Sequence, residues 1–369
     1  MIIFWIAVVL AFFRALTALW TRIFGLNRTG DEIHRVPTED GWTLALHRYR
    51  PRVRKYKNPV LLVHGVGANR YNFDLDDEIS LARSLAGRGF DTWCLELRGA
   101  GMSDRPSLFA GRHWGFGFDE HVRFDLPAAL KHLATQTEGA SPLVMGHSMG
   151  GMLALVHAGQ RGEKEGPRAL VLVASPFKLD ELKLARRLSW LLRLLCFLPA
   201  IYFRALGRFF APVAGLWLGP FTRIFIQPGS GMSAARTRLA VVNLSENTSS
   251  GLMRQFLGWA QGGDFSSRDG QDDYRAAIDQ VRCPVLILGG QKDPIAPPDS
   301  VAPVYQWLKT DDKQLRLLGD DAGDDVDFAH GDILLGDAAV DMVHKEMTTW
   351  FEARAELCSV SNRDDAKGA

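Results

Sequence analysis

At 369 residues with 47% hydrophobic content, the chain can bury a large core, and its length suits one decorated α/β domain better than two independent ones. A net charge of +1 supplies no global field that would draw it to nucleic acid or another polyanion. The four cysteines, Cys94, Cys196, Cys283 and Cys358, lie far apart without C-x-x-C spacing, which indicates neither a zinc site nor a disulfide framework and leaves the redox compartment open.

The first element is apolar. Ile2 to Phe13 run without a polar residue, Arg14 interrupts, and Ala15 to Trp20 continue before Arg22. Twelve residues are too few for a span of about 20, but joined across Arg14 they approach that length, with the charge able to snorkel. A secretory signal carries its positive charge before the apolar run, and here the charges follow it, so the segment reads as a retained anchor or an interfacial helix rather than a cleaved signal. With Arg14, Arg22 and Arg28 all on its C-terminal side, the positive-inside rule places the rest of the chain in the cytoplasm.

Pro59 to Val63 reads as an early strand running into His64-Gly65-Val66-Gly67, and Thr92 to Leu97 as another ending at Arg98-Gly99-Ala100-Gly101-Met102-Ser103. Leu143 to Met145 follow, then Gly146-His147-Ser148-Met149-Gly150, then the helical segment Met152 to Ala158. A serine at the apex of a strand, tight turn and helix is lifted clear of the sheet, and the small residues around it avoid collision with the neighbouring helix and strand. Ser148 is therefore the expected nucleophile. Downstream, Val285 to Leu288 form a strand ending in Gly289-Gly290, with Asp293 just beyond, and Lys313 to Leu318 a last strand, with His330 after it in Asp-Phe-Ala-His-Gly-Asp. Serine, acid and histidine in that order supply a nucleophile, a group that fixes the imidazole tautomer, and a base that takes and returns the proton. Asp320, Asp321, Asp324, Asp325 and Asp327 also crowd the loop before His330. The backbone N–H groups of Val66 and Met149 are the expected oxyanion donors, and His64 and His147 are read as bracing residues.

Between the strand Ala169 to Ala174 and that at Val285, the segment 177–265 interrupts the sheet pattern with expected helices at Leu179 to Leu198, Ala200 to Phe210, around Leu216 to Phe225, and Gly251 to Ala260. Aromatic and leucine side chains there interleave with Lys183, Arg186, Arg187, Arg193, Arg204, Arg208 and Arg223 while acids are almost absent. This composition fits either a cap core with a solvated basic face or a cationic, apolar lid that lies on an anionic lipid surface, and the apolar N-terminus favours the second.

These motifs resemble the α/β-hydrolase superfamily and, within it, the lipase branch that includes the acid lipases. The resemblance rests on His64-Gly65, the Arg98 to Ser103 loop, Trp114 to Glu120 with Asp125-Leu126-Pro127-Ala128, the serine turn and Asp-Phe-Ala-His-Gly-Asp, over roughly residues 40 to 350. The last third is also similar to polyhydroxyalkanoate synthase relatives, which use a cysteine where this chain has Ser148. The resemblance implies an α/β-hydrolase fold, a mostly parallel sheet with helices on both faces and an inserted helical cap. The expected organisation is an anchor or interfacial helix at 1–26, core at 27–176, cap at 177–265, core again at 266–358 and a disordered tail at 359–369. The implied activity is serine ester hydrolysis of an apolar acyl ester through Ser148, Asp293 and His330, with no metal or organic cofactor. Partners would be a lipid or other apolar ester and a membrane surface, with no nucleic acid, and the oligomeric state is open. An acyltransferase using the same three residues, or a non-catalytic binding protein that keeps the fold, are the other readings.

Overall fold

The computed structural model describes residues 1–107, 109, 111–216 and 223–358. The expected tail at 359–369, and residues 217–222 of the expected helical piece after Leu216, lie outside these. The strands are β1 (Glu32–Pro37), β2 (Thr43–Tyr49), β3 (Val60–Val63), β4 (Thr92–Glu96), β5 (Leu143–His147), β6 (Ala169–Val173), β7 (Ala200–Ile201), β8 (Thr248–Ser249), β9 (Val285–Gly290) and β10 (Lys313–Leu318). Eight form one sheet in the order β1-β2-β4-β3-β5-β6-β9-β10, parallel except where β2 pairs antiparallel with β1 and β4. The central strands β3, β4, β5, β6 and β9 are buried at every position, because helices cover both faces of a parallel sheet and a continuous apolar run is what such a strand requires. The β1–β2 hairpin was not legible as strands, since its residues include Glu32, His34, Arg35, His47 and Arg48 and β1 is only half buried.

The main helices are α1 (Ile2–Phe24), α2 (Leu81–Gly87), α3 (Leu126–Gln136), α4 (Met149–Glu165), α5 (Lys183–Arg187), α6 (Ser189–Leu195), α7 (Phe203–Phe210), α8 (Ala234–Asn243), α9 (Ser250–Ala260), α10 (Tyr274–Ile278) and α11 (Lys345–Glu352). Helix α4 begins three residues earlier than the sequence reading placed it, directly after Ser148. The segment between β6 and β9 departs further. The single helix expected over Leu179 to Leu198 is a short 3-10 turn (Leu179–Glu181) followed by α5 and α6, which bury no side chain fully and so lack the core contact that would hold one long helix. Pro199 ends this run, and Ala200–Ile201 pair with Thr248–Ser249 as an antiparallel ribbon instead of opening a helix. Helix α8, capped by Ser233 Oγ accepting from Arg236 N at 3.1 Å, was missed because its sequence shows little apolar periodicity.

Helix α1 is continuous through Arg14. Phe13, Leu16, Thr17, Trp20, Thr21 and Phe24, spaced three and four apart, are its half-buried stripe, and Phe13 stacks on Phe209 of α7 with ring centroids 4.8 Å apart. The N-terminal half of the helix is apolar as well and exposed, with Phe4, Trp5, Val9 and Phe12 each about 60% exposed. The Asn243 side chain clamps the exit of this helix, donating to Phe24 O (2.9 Å) and accepting from Leu26 N (2.8 Å). Its own carbonyl accepts from Asn69 Nδ2 at 2.7 Å, so α1 is tied to the loop after β3.

Candidate active site

Ser148 stands between β5 and α4 at φ 55°, ψ −123°, a left-handed strained position that turns its Oγ away from the sheet. The turn closes only because a Cβ on Gly150 would sit 2.1 Å from Val63 O. Its amide is satisfied by Val173 O at 2.8 Å.

Three loops converge on this serine. His330 Nε2 lies 3.0 Å from Ser148 Oγ, and His330 Nδ1 lies 2.7 Å from Asp293 Oδ2. A carboxylate only accepts, so Nδ1 carries the proton and donates, leaving Nε2 as the acceptor that faces the serine hydroxyl. Asp293 is held in turn by Ile295 N (2.8 Å) and Ala296 N (2.9 Å) on its other oxygen. Asp293 is 2% exposed and Ser148 and His330 are 8% exposed, so the chain of hydrogen bonds is shielded from solvent along its length. None of the five aspartates in the loop before His330 bonds to it: Asp324 receives Arg316, Asp327 receives the Asp320 amide, and Asp321 receives Lys292.

The expected oxyanion donors flank the serine. Met149 opens α4, and neither its N–H nor that of Val66 donates to a protein acceptor among the described residues. His64 braces their loop: its Nδ1 faces Gly65 O at 2.8 Å while Nε2 accepts from Leu97 N at 3.1 Å. Burial holds it neutral, at about 4. Glu246 N donates to Gly67 O at 2.7 Å, so the segment before β8 pins the same loop.

His147 and Asp332 do more than sequence reasoning assigned. The His147 ring lies 4.9 Å from that of His330 and its Nε2 is 3.0 Å from His330 O, which positions the backbone of the base. Burial pushes it well below the ordinary imidazole range, so it faces His330 uncharged. Asp332 is fully buried and accepts from Ala329 N (2.7 Å) and from Gln227 N, while Phe225 O takes the amides of Gly331 (2.9 Å) and Asp332 (3.0 Å). A strap of turns from the insert is thereby laced to the histidine loop. Burial raises Asp332 to about 6. The only sequence signal was its place at the end of Asp-Phe-Ala-His-Gly-Asp.

The cationic character read into the insert is partly neutralised in space. Lys183 pairs with Asp299 of the core at 3.1 Å and Arg204 with Glu246 at 3.5 Å, acids too distant in sequence to count as neighbours. The apolar character persists: Trp190 is 67% and Phe197 88% exposed, with Leu194, Leu206, Phe210 and Phe225 about half exposed.

Comparison with known proteins gives a family match and two kinds of relative. A family model described as "alpha/beta hydrolase fold" matches residues 58–325. A probable lipase of Schizosaccharomyces pombe is 25% identical over 355 residues, covering 86% of this chain and 74% of its own length. The lysosomal acid lipase/cholesteryl ester hydrolases of Rattus norvegicus and Homo sapiens are 32% and 35% identical over 142 and 129 residues. Those matches cover 35% and 32% of this chain, and the chain spans only about a third of the length of either relative (36% and 32%). Among solved structures, a thermophilic esterase from Thermogutta terrifontis superposes with TM-score 0.55 at 18% identity, over 88% of this chain and 100% of that one. A monoacylglycerol lipase of Paleococcus ferrophilus does so with TM-score 0.55 at 17% identity, over 84% and 99%.

Proposed function

The chain belongs to the alpha/beta hydrolase fold family, and from that premise we propose that it is a serine carboxylic ester hydrolase acting on an apolar acyl ester at a membrane surface. The observation that carries the reading is His330 placed between Asp293 at 2.7 Å and Ser148 at 3.0 Å, with the tautomer that leaves Nε2 free to accept. Ser148 Oγ attacks the ester carbonyl as His330 takes its proton, and the charge developing on the carbonyl oxygen falls to the Val66 and Met149 N–H groups. His330 returns the proton to the departing alcohol. Water, activated by the same imidazole, then releases the acid from Ser148. The S. pombe relative is named a lipase and the mammalian relatives are named acid lipases, which supports a lipid ester as substrate. The exposed Trp190, Phe197 and Phe210 of the cap support it too.

The membrane part of the reading rests on α1. The helix is long and apolar enough by length and composition to cross a bilayer. Its half from Phe13 onward packs on the cap, however, and the remaining twelve residues would reach only about 18 Å at 1.5 Å per residue, short of the roughly 30 Å hydrocarbon core. An interfacial helix therefore fits better than a spanning one, lying in one leaflet beside the cap, with the following arginines at the level of the headgroups.

A fluorophosphonate probe tests the chemistry. It should label the wild type stoichiometrically and leave Ser148→Ala unlabelled with its fold intact; equal labelling of both would sink the assignment.

A further inference from the structure

The loops that carry Asp293 and His330 leave the adjacent strands β9 and β10 and meet where a Cβ on Gly290 would sit 2.4 Å from Phe328 O. Beyond that point a third segment spans them. The strap 225–230 of the insert reaches the histidine loop and the helix after it from three residues: Phe225 O accepts from Gly331 N and Asp332 N, Gln227 N donates to Asp332 Oδ2, and Ser230 O accepts from Ala338 N at 3.2 Å. It reaches the acid's loop as well, because Gln227 Nε2 donates to Lys292 O at 3.2 Å, one residue before Asp293. The other Asp332 oxygen holds Ala329 N at 2.7 Å. The amides on either side of the base, those of Ala329 and Gly331, are thus fixed by Asp332 and by the strap.

Asp332 does not stabilise this region by its charge. The carboxylate is fully buried, no Lys or Arg pairs with it among the described residues, and Asp293 repels it. A charge in that setting destabilises the fold, and an apolar side chain of similar size would sit there more favourably. What the carboxylate supplies is two acceptors, one for Gln227 N and one for Ala329 N, and neither an apolar group nor an amide can supply both. We propose that the strap 225–230 is a positioning element of the enzyme, with Asp332 and Gln227 as its positioning residues: docked, it holds the Asp293 and His330 loops in the register that puts Nε2 on Ser148. The base is then aligned only while this part of the insert stays in place, and an ester must reach the serine without lifting it. This rests on the ester-hydrolase reading above.

The test compares the full chain as wild type, Asp332→Asn, Asp332→Ala and Gln227→Met. It reads kcat and KM for p-nitrophenyl octanoate per site titrated with fluorophosphonate, the pH dependence of kcat/KM, and the downfield proton resonance of His330 Nδ1 in the free enzyme. Asp332→Asn has one oxygen for two N–H groups and should lower kcat by about 10- to 100-fold, the effect of misplacing a reacting group by about 1 Å, with KM within about twofold. Asp332→Ala should fall at least as far. Gln227→Met, as long but without the donor, should lower kcat several-fold and leave the acid limb of the pH profile in place. In all three the Nδ1 resonance should broaden while the protein remains folded. A kcat within about twofold of wild type in both Asp332 variants, or an unchanged resonance in them, overturns the proposal. So does a loss confined to the Asp332 variants and accompanied by a shifted acid limb, since Asp332 would then act through its charge. If neither Asp332 variant folds, wild-type kcat and resonance in Gln227→Met overturn it. Wild type that neither hydrolyses the ester nor takes the probe would instead overturn the ester-hydrolase reading, while the resonance, which needs no substrate, still decides whether the strap aligns the base.

Discussion

At Ser148, His330 and Asp293 the geometry leads to unequal expectations for substitution. Ser148→Ala and His330→Ala should each lower kcat by several orders of magnitude and the double variant by little more, because the three side chains act as one unit. Asp293→Asn should cost about 10³ to 10⁴-fold, since an amide can present an N–H to Nδ1 and turn the imidazole to the wrong tautomer. Activity near wild type in Asp293→Asn, measured by steady-state ester hydrolysis, would return the acid role to the loop before His330. A second buried group is structural. Burial pushes Glu96 up, but His47, Arg70 at 2.8 Å and the Met102 N–H outweigh it and hold the carboxylate at about 2. Glu96→Gln leaves Arg70 buried without its counter-charge and should cost about 3 to 5 kcal/mol in chemical denaturation. Glu96 also contributes stability that is present above its unfolded value of 4.5 and lost as pH falls toward 2, so the variant should show a flatter acid limb over that window.

Helix α1 has two apolar halves with separate work. The stripe from Phe13 to Phe24 packs on the protein, whereas Trp5, Val9 and Phe12 are exposed. Replacing Trp5, Val9 and Phe12 by serine leaves the packed stripe intact. Wild type should stay on anionic vesicles at 1 M salt, where the screening length is about 3 Å, and the triple variant should float free of them at that salt while binding at low salt through the basic residues of the cap. Identical salt profiles in a vesicle flotation assay would remove the membrane role from α1. The clamp on its exit is testable separately. Asn243→Leu deletes the bonds to Phe24 O and Leu26 N, so trypsin should cut at Arg22 faster than in wild type with the core resistant. An unchanged cleavage rate would mean that packing on α7 alone holds the helix.

Across the molecule, buried histidines set the pH range. Burial lowers His64, His157 and His344 to about 4 and His147 well below the ordinary value of 6.5. For a base depressed in the folded state, the unfolded chain takes up the proton first, so stability is intact above 6.5 and lost as pH falls from there toward 4. Each histidine contributes a slope approaching about 1.4 kcal/mol per pH unit in that window. Asp332 works in the opposite sense: its carboxyl is raised to about 6 from 3.8, so its charged form is penalised and stability is lost as pH rises through that interval, by about 3 kcal/mol at most. One acid does not offset four bases. Denaturant midpoints should therefore fall steeply between pH 6.5 and 4.5, and a flat profile would show that the histidines charge without opening the fold.

The reaction class was legible along the chain because its signals are local. A strand, a serine at a tight turn and a helix occupy one short stretch, and the central strands announce themselves as apolar runs because both their faces are covered. The chain order of Ser148, Asp293 and His330 placed each after its own strand without any knowledge of contacts. What lay beyond the sequence needed partners far away in it. Which aspartate meets His330 is a choice among six, decided by where β9 ends relative to β10. The β7–β8 ribbon joins residues 200–201 to 248–249 across the insert, and nothing in either dipeptide requires the other. The pairing of Lys183 with Asp299, the strap from Phe225 to Asp332 and the clamp of Asn243 on α1 are likewise long-range hydrogen bonds and ion pairs, whose energy depends on distance in space and leaves no periodicity in the chain.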